Sequence, residues 1–259
     1  MSTCLATFKK GLVLNDTWVL GERLGEGACG QVFKVTTQAK DKKPENMDLI
    51  IKCAYMPKGT SKKIKEQIRS ASTLFKEFQM HRGPLLGFKY LPGLPKKHRP
   101  TGEDHQHCYL VMQRLDYTLE ELALGGGDTC PSLRTISRLG VQILDGLQDM
   151  HRRGYVFVDV KPDNFMVLKD PRAAASRSEA EFFPEDQLFF VDFGLMEKVR
   201  GHNGQRENVS RATLAGNAAY CSLDVHGCAV PAAKDDLEAL VRSRSRRRCC
   251  VCMCCAVLC

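Results

Sequence analysis

The hydrophobic pattern of this chain changes period part-way along, and that change restricts the folds open to it. Up to residue 115 the chain reads as strand-rich, with apolar and polar residues alternating over 17–37, the period of half-buried strands. Residues 17–37, TWVLGERLGEGACGQVFKVTT, read as two strands joined by a tight glycine loop. Residues 38–46 read as a polar turn, 47–56 as a third strand and 107–115 as a further buried strand. One helix interrupts them, over 61–81, where Ile64, Ile68, Leu74, Phe75 and Phe78 recur at helical spacing. From Ser132 to Arg152 the period becomes 3.6. Ile136, Leu139, Ile143, Leu144, Leu147 and Met150 share one face of a long helix, with Pro131 before it and Gly154 after it. Short strands at 165–168 and 188–191 flank a polar insertion, 170–187, and another helix begins at Lys234. The expected fold is α+β: a strand-rich lobe, a mainly helical lobe, a connection through 113–117 and a cleft between them.

Net charge bears on function only after its source is located. The chain of 259 residues carries +8, but the segment 242–259, RSRSRRRCCVCMCCAVLC, holds five arginines and no acid. Without it 33 basic residues face 30 acidic ones, so no chain-wide basic bias points to nucleic acid. Six of the 13 cysteines sit in the same segment, and Cys4, Cys29, Cys53, Cys108, Cys130, Cys221 and Cys228 are scattered singly. That distribution, and an N-terminus MSTCLATFKK without the apolar run of a secretory signal, imply a reducing, intracellular compartment, cytoplasm or nucleus. No run of eighteen apolar residues suggests a membrane-spanning helix. A monomer is expected.

Four clusters carry chemistry. Gly25-Glu26-Gly27-Ala28-Cys29-Gly30 fits G-x-G-x-x-G, but strand-like QVFKVTT follows where a dinucleotide-binding fold needs a helix. Strand–glycine loop–strand can instead lay backbone N–H groups over the phosphates of a nucleotide, or be a simple hairpin turn. Lys52 follows the apolar Leu49-Ile50-Ile51 and needs a carboxylate partner, for which Glu77 on the first helix is the candidate. Asp159-Val160-Lys161-Pro162-Asp163-Asn164 begins five residues after Gly154, and Asp192-Phe193-Gly194 follows the apolar run 188–191. Phosphoryl transfer to a hydroxyl needs a carboxylate that accepts a proton, a cation near the transferred group and oxygen ligands for magnesium. Asp159, Lys161, and the pair Asn164 and Asp192 can fill those roles in turn. Any one cluster has a bland reading as a turn or cap; the four in this order do not.

Over residues 17–241 the sequence resembles a eukaryotic protein kinase, through GEGACGQV, IIK, Glu77 in LFKEF, DVKPDN and DFG. Within that family it is similar to the casein kinase 1 group, by DVKPDNFMV, CSLDVHG and KDDLEAL, and most like its vaccinia-related branch, by LFKEFQ, EDQLFFVDFGL and Ile143-Leu144-Asp145. The resemblance implies a bilobal kinase fold, with an N-terminal extension (1–16), an N-lobe (17–112), a partial C-lobe (113–241) and a tail (242–259). It implies Mg-ATP as cofactor and protein serines or threonines as acceptors. The expected nucleotide-binding residues are Leu24, Gly25, Glu26, Gly27, Ala28, Cys29, Gly30, Val32, Lys52, Met112 as gatekeeper, and Gln113 to Leu115 as hinge. Lys52, Glu77, Asp159 and Lys161 would be catalytic, Asn164 and Asp192 would hold the metal, and Asp236 would anchor the catalytic-loop backbone.

Four departures from the family stand out. Phe157-Val158 replaces the His-Arg that precedes the catalytic aspartate, so switching by a phosphorylated activation loop is not expected. Gly216-Asn217 stands where the family has Gly-Thr, and Ala219 replaces a basic residue that reads acidic or phosphorylated substrates. The resemblance stops near Val241, which implies a shortened C-lobe with exposed apolar surface on its last helix. Three readings fit the tail: a polybasic, acylated membrane anchor, a metal or redox cluster, or no evolved segment; the abrupt end inside a helix favours the third. The chain is then expected to be an active protein kinase or, if the shortened lobe impairs it, a nucleotide-binding scaffold.

Overall fold

The computed structural model describes residues 8–27, 30–38, 48–55, 61–95, 107–124, 133–168, 187–199 and 214–242. All but the first residue of the expected turn at 38–46, all but the last of the insertion at 170–187 and all but the first of the tail at 242–259 lie outside the described residues, as do Ala28 and Cys29 of the glycine loop. The described residues form two compact units. One takes those up to Pro84 with Pro92–Arg114; the other takes Leu85–Leu91 with those from Leu115 onward.

The first unit is a five-stranded antiparallel sheet in sequence order: β1 (Val13–Leu14), β2 (Trp18–Gly27), β3 (Gly30–Thr37), β4 (Leu49–Tyr55) and β5 (His107–Gln113). Alternation along β4 assigns its side chains to two faces. Leu49, Ile51 and Cys53 join Trp18, Leu20 and Phe33 on one; Ile50 and Ala54 pack with Leu74 of helix α1 (Lys62–Arg82) on the other. Lys52, between Ile50 and Ala54, shares the α1 face. The helix starts where the side chain of Ser61 accepts the N–H of Ile64, satisfying one of the orphan donors of the first turn. At Gly30, φ is +122° and an added Cβ would lie 2.2 Å from the carbonyl oxygen of Cys53, so only glycine lets β3 come this close to β4.

The second unit is built on α3 (Leu133–Arg152), whose buried stripe of Ile136, Leu139, Ile143, Leu147 and Met150 follows the expected period. Gly154, at φ +78°, turns the chain out of the helix into β7 (Tyr155–Val156). A three-stranded sheet combines β6 (Tyr117–Thr118), β8 (Phe165–Leu168) and β9 (Gln187–Phe190), and β7 pairs with β10 (Glu197–Lys198). The short strands β6, β7 and β10 and the helix α2 (Leu119–Leu124) add to the sequence reading. Helix α4 (Leu223–His226) leads to α5 (Ala233–Arg242). On α5, Leu237 and Val241 lie one turn apart and are 43% and 41% exposed. Among the described residues no helix is long and apolar enough to cross a membrane.

Candidate active site

In the first unit the β4 lysine and the α1 glutamate meet. Lys52 Nζ donates to Glu77 Oε1 at 2.9 Å and Oε2 at 3.1 Å; Glu77 is 0% exposed and Lys52 14%. The pair leaves the ammonium held at its root and partly open to solvent, a geometry in which it can meet an anion. Val32 and Leu110 flank Lys52 as its register partners on β3 and β5. In the glycine loop, Leu24 and Glu26 are exposed, and Glu26 pairs with Arg23. Among the described residues nothing lies within 4 Å of the position of an added Cβ at Gly25, which leaves its backbone open to approach by a ligand. Met112 is buried against α1, and Gln113 exchanges two hydrogen bonds with Gly93: its N–H donates to the glycine oxygen at 2.8 Å, and its Oε1 accepts the glycine N–H at 3.2 Å. Leu115, the last of the residues expected to form a hinge, is buried in the second unit.

In the second unit Lys161 and the Asn164 amide converge on one oxygen of Asp159. Asp159 Oδ2 accepts from Lys161 Nζ at 2.6 Å and from Asn164 Nδ2 at 2.8 Å. Asn164 Nδ2 also donates to the main-chain oxygen of Asp159 at 2.8 Å. With its nitrogen so engaged, the amide must present Oδ1 elsewhere, as an oxygen donor. The N–H of Val191 donates to the Asn164 carbonyl at 3.0 Å, which brings the start of Asp192-Phe193-Gly194 beside this loop. Asp192 itself sits in the left-handed region at φ +66°. Burial alone would lower the Lys161 pKa, but Asp159 foremost, then Asp192 and Asp163, outweigh it, and the ammonium is held above its ordinary value. An amide oxygen and a carboxylate on adjoining loops form a hard donor set, which fits a magnesium ion.

The loop that carries Asp159 is fixed from α5. Asp236 Oδ2 accepts the N–H of Phe157 and Oδ1 that of Val158, both at 2.8 Å, and Oδ2 also contacts His151 Nε2 at 2.8 Å. Val158 is thereby held at φ +74°, an outlier for a β-branched residue. Phe157 makes no hydrogen bond with its ring but is fully buried, edge-on to Phe190 and Phe193 at 5.4 and 5.7 Å. Ser222 caps α4, accepting from Val225 N, and donates to Asp235 Oδ1 at 2.7 Å.

The profile of the protein kinase domain family matches residues 18–225. The chain belongs to the protein kinase family. Its relatives include Casein kinase I homolog 2 of Saccharomyces cerevisiae, 25% identical over 85% of this chain and 35% of the relative. Serine/threonine-protein kinase VRK2 of Homo sapiens is 25% identical over 90% of this chain and 44% of the relative. Nucleosomal histone kinase 1 of Drosophila melanogaster is 29% identical over 90% and 36%. The chain therefore spans less than half the length of each of these kinases.

Set against the kinase pattern, two substitutions find a physical explanation. The Phe157 ring replaces a hydrogen bond by aromatic packing. Among the described residues Asn217 does not extend the Asp159 network: its Oδ1 accepts the N–H of Ala219 at 2.9 Å and so closes its own turn. Several contacts had no visible signature in the sequence. His151 with Asp236, Tyr90 with Asp145, and Arg153 with the Leu86 carbonyl join residues 55 to 85 positions apart.

Proposed function

We propose that the chain is an ATP-dependent serine/threonine protein kinase that moves the γ-phosphoryl group of Mg-ATP to a protein hydroxyl. The observation that carries this reading is the convergence of Lys161 and Asn164 on Asp159 Oδ2. Among the described residues both bonds fall on one carboxylate oxygen, which leaves Oδ1 to accept the hydroxyl proton as the alcohol oxygen bonds to phosphorus. The bond from phosphorus to the bridging oxygen breaks, and ADP departs. Lys161, charged throughout the neutral range, offsets the negative charge on the phosphoryl group. Lys52, oriented by Glu77, holds the α- and β-phosphates, and the N–H groups around Gly25 and Gly27 approach them. Asn164 and Asp192 would hold Mg2+, which when bound neutralises phosphate charge. The D-x-K-P-x-N form of the loop supports serine and threonine as acceptors. The free thiols at Cys53, Cys108, Cys221 and Cys228 support a reducing, intracellular setting.

The test is transfer of labelled phosphate from ATP to casein with magnesium, beside an Asp159→Ala control. The expected result is transfer by the parent chain and a loss of about a thousandfold or more in the variant, as when a proton acceptor is removed from a preorganised site. Equal labelling by both overturns the reading. Stabilisation by Mg-ATP without any transfer would favour a nucleotide-binding scaffold instead.

A further inference from the structure

The segment Leu85–Leu91 lies between α1 and β5 in sequence yet packs with the second unit, and it is gripped near its end by helix α3 and near its start by Arg153, the residue that follows that helix. Near its start Arg153 Nη1 donates to the Leu86 carbonyl at 3.0 Å, and the guanidinium is itself braced by Asp149 at 3.1–3.2 Å. Near its end Tyr90, only 2% exposed, donates its hydroxyl to Asp145 Oδ2 at 2.7 Å. The Lys89 ammonium stands 3.3 Å from the same hydroxyl and 5.0 Å over the Tyr90 ring. A buried hydroxyl costs stability unless it is bonded, and here a carboxylate satisfies it.

The gripped segment runs beside the strand that leads to Asp192. The carbonyl of Tyr90 accepts the N–H of Phe190 at 2.9 Å, and the carbonyl of Lys89 accepts Gln187 Nε2 at 3.2 Å. Phe88 stands edge-on to Phe190 at 5.6 Å and to Phe193 at 6.4 Å. Phe157 meets the same two rings. Rings two residues before and one residue after Asp192 are thus held by Phe88 as well as Phe157. Asp192 needs such a hold, because a left-handed non-glycine backbone persists only where its surroundings over-determine it. Gly87, at φ +75° with open space around it, gives the segment no rigidity of its own.

We propose that Tyr90 is a positioning residue for Asp192: bonded to Asp145, its hydroxyl clamps Leu85–Leu91 onto α3 and so sets the direction of the Asp192 carboxylate. The inference rests on the reading of Asp192 as a metal ligand. It is tested with the full chain, by titrating Mn2+ in the presence of a nonhydrolysable ATP analogue and following free Mn2+ by electron paramagnetic resonance. Tyr90→Phe, which keeps the ring and loses the hydroxyl, is expected to weaken Mn2+ binding about fivefold, at the low end of ordinary coupling between sites. Asp145→Ala should do the same, and the double variant should add little to either. Asp145→Asn, which still offers an acceptor, should restore most of the affinity. In the transfer assay kcat should fall while the KM for casein stays constant. A Tyr90→Phe chain that melts earlier but binds Mn2+ within twofold of the parent would reduce Tyr90 to packing and overturn the inference. Unchanged Mn2+ affinity in Asp192→Asn would overturn it as well. A parent chain that binds Mn2+ through Asp192 but moves no phosphate would overturn the kinase reading alone.

Discussion

Asp236→Ala isolates the anchoring of the Asp159 loop. The carboxylate is 2% exposed and accepts the N–H groups of Phe157 and Val158, which are themselves buried. Truncation leaves two buried donors without acceptors, at about 1–3 kcal/mol each. Water can recover part of that in the space left behind, so a loss of about 4 kcal/mol is expected if the loop keeps its shape. Against a typical total of about 5–15 kcal/mol this is a large fraction. It corresponds to a melting shift of roughly 8–16 °C for a chain of this size. The loop has a second way to respond. Val158 at φ +74° is strained by about 1–3 kcal/mol, and letting it relax returns that energy while moving Asp159, its neighbour. The two responses differ in kind: a rigid loop shows the full stability loss with residual transfer, whereas a relaxed loop shows a smaller loss with transfer abolished. Urea unfolding followed by far-ultraviolet circular dichroism, with labelled-phosphate transfer measured beside it, separates them. Trp18, the single tryptophan, is buried in the first unit and reports that unit's transition independently. A variant within about 1 kcal/mol of the parent that transfers phosphate at the parental rate would refute the anchoring argument.

Lys52→Met should deprive the buried Glu77 carboxylate of its lysine partner and destabilise the chain by up to about 3–5 kcal/mol, whereas Lys52→Met with Glu77→Leu should recover most of that in urea titrations. Both should lack transfer; equal stability of the two would deny the pair its burial cost. Alkaline stability follows in large part from three buried acids. Burial pushes the thiols of Cys53 and Cys108 above the ordinary 9.0, Cys108 to about 12, and burial with the Asp145 bond raises the Tyr90 hydroxyl above 10.0. The unfolded chain releases these protons first, so stability is fully present below about pH 9 and falls as pH rises beyond it, by up to about 1.4 kcal/mol per pH unit per group. Cys108→Ala should flatten the decline between pH 9 and 12, and a urea midpoint independent of pH there would count against it. Gly146→Ala would place a Cβ 2.5 Å from Phe190 Cε2, so despite the helix preference for alanine it should lower the melting point, by overpacking of about 1–3 kcal/mol; a more stable variant would contradict the packing described.

Elements with a clear apolar pattern were the most legible, the long helices above all, because their periodicity records a single continuous face. The helix over 132–152 is found at Leu133–Arg152, and the strand reading at 165–168 is reproduced by β8. Lys52 and Glu77 were legible as a pair because a cation inside an apolar run demands a counter-charge. Asp159, Lys161, Asn164 and Asp192 were legible because local spacing brings the first three together. What stayed hidden was the hold exerted from a distance. Nothing at Tyr90 announces Asp145, and nothing at His151 announces Asp236, since the first pair meets only after the segment 85–91 has packed on α3 and the second only after α5 has packed beside the end of that helix. The two-residue strands were hidden for another reason: β7 and β10 have too few residues to show any period.

Gly25 and Gly30 share one motif but differ in what a methyl group would do. At Gly25 it would meet open space; at Gly30 it would strike the Cys53 carbonyl on a backbone that L-residues rarely adopt. In a saturation library scored by growth or signalling, both positions would look intolerant if the motif works as a unit, yet the causes would differ. Depletion at 30 reports misassembly of neighbouring strands, whereas depletion at 25, once corrected for protein abundance, reports the handling of nucleotide. Scores at Gly30 therefore belong with expression data, and only those at Gly25 bear on the ligand.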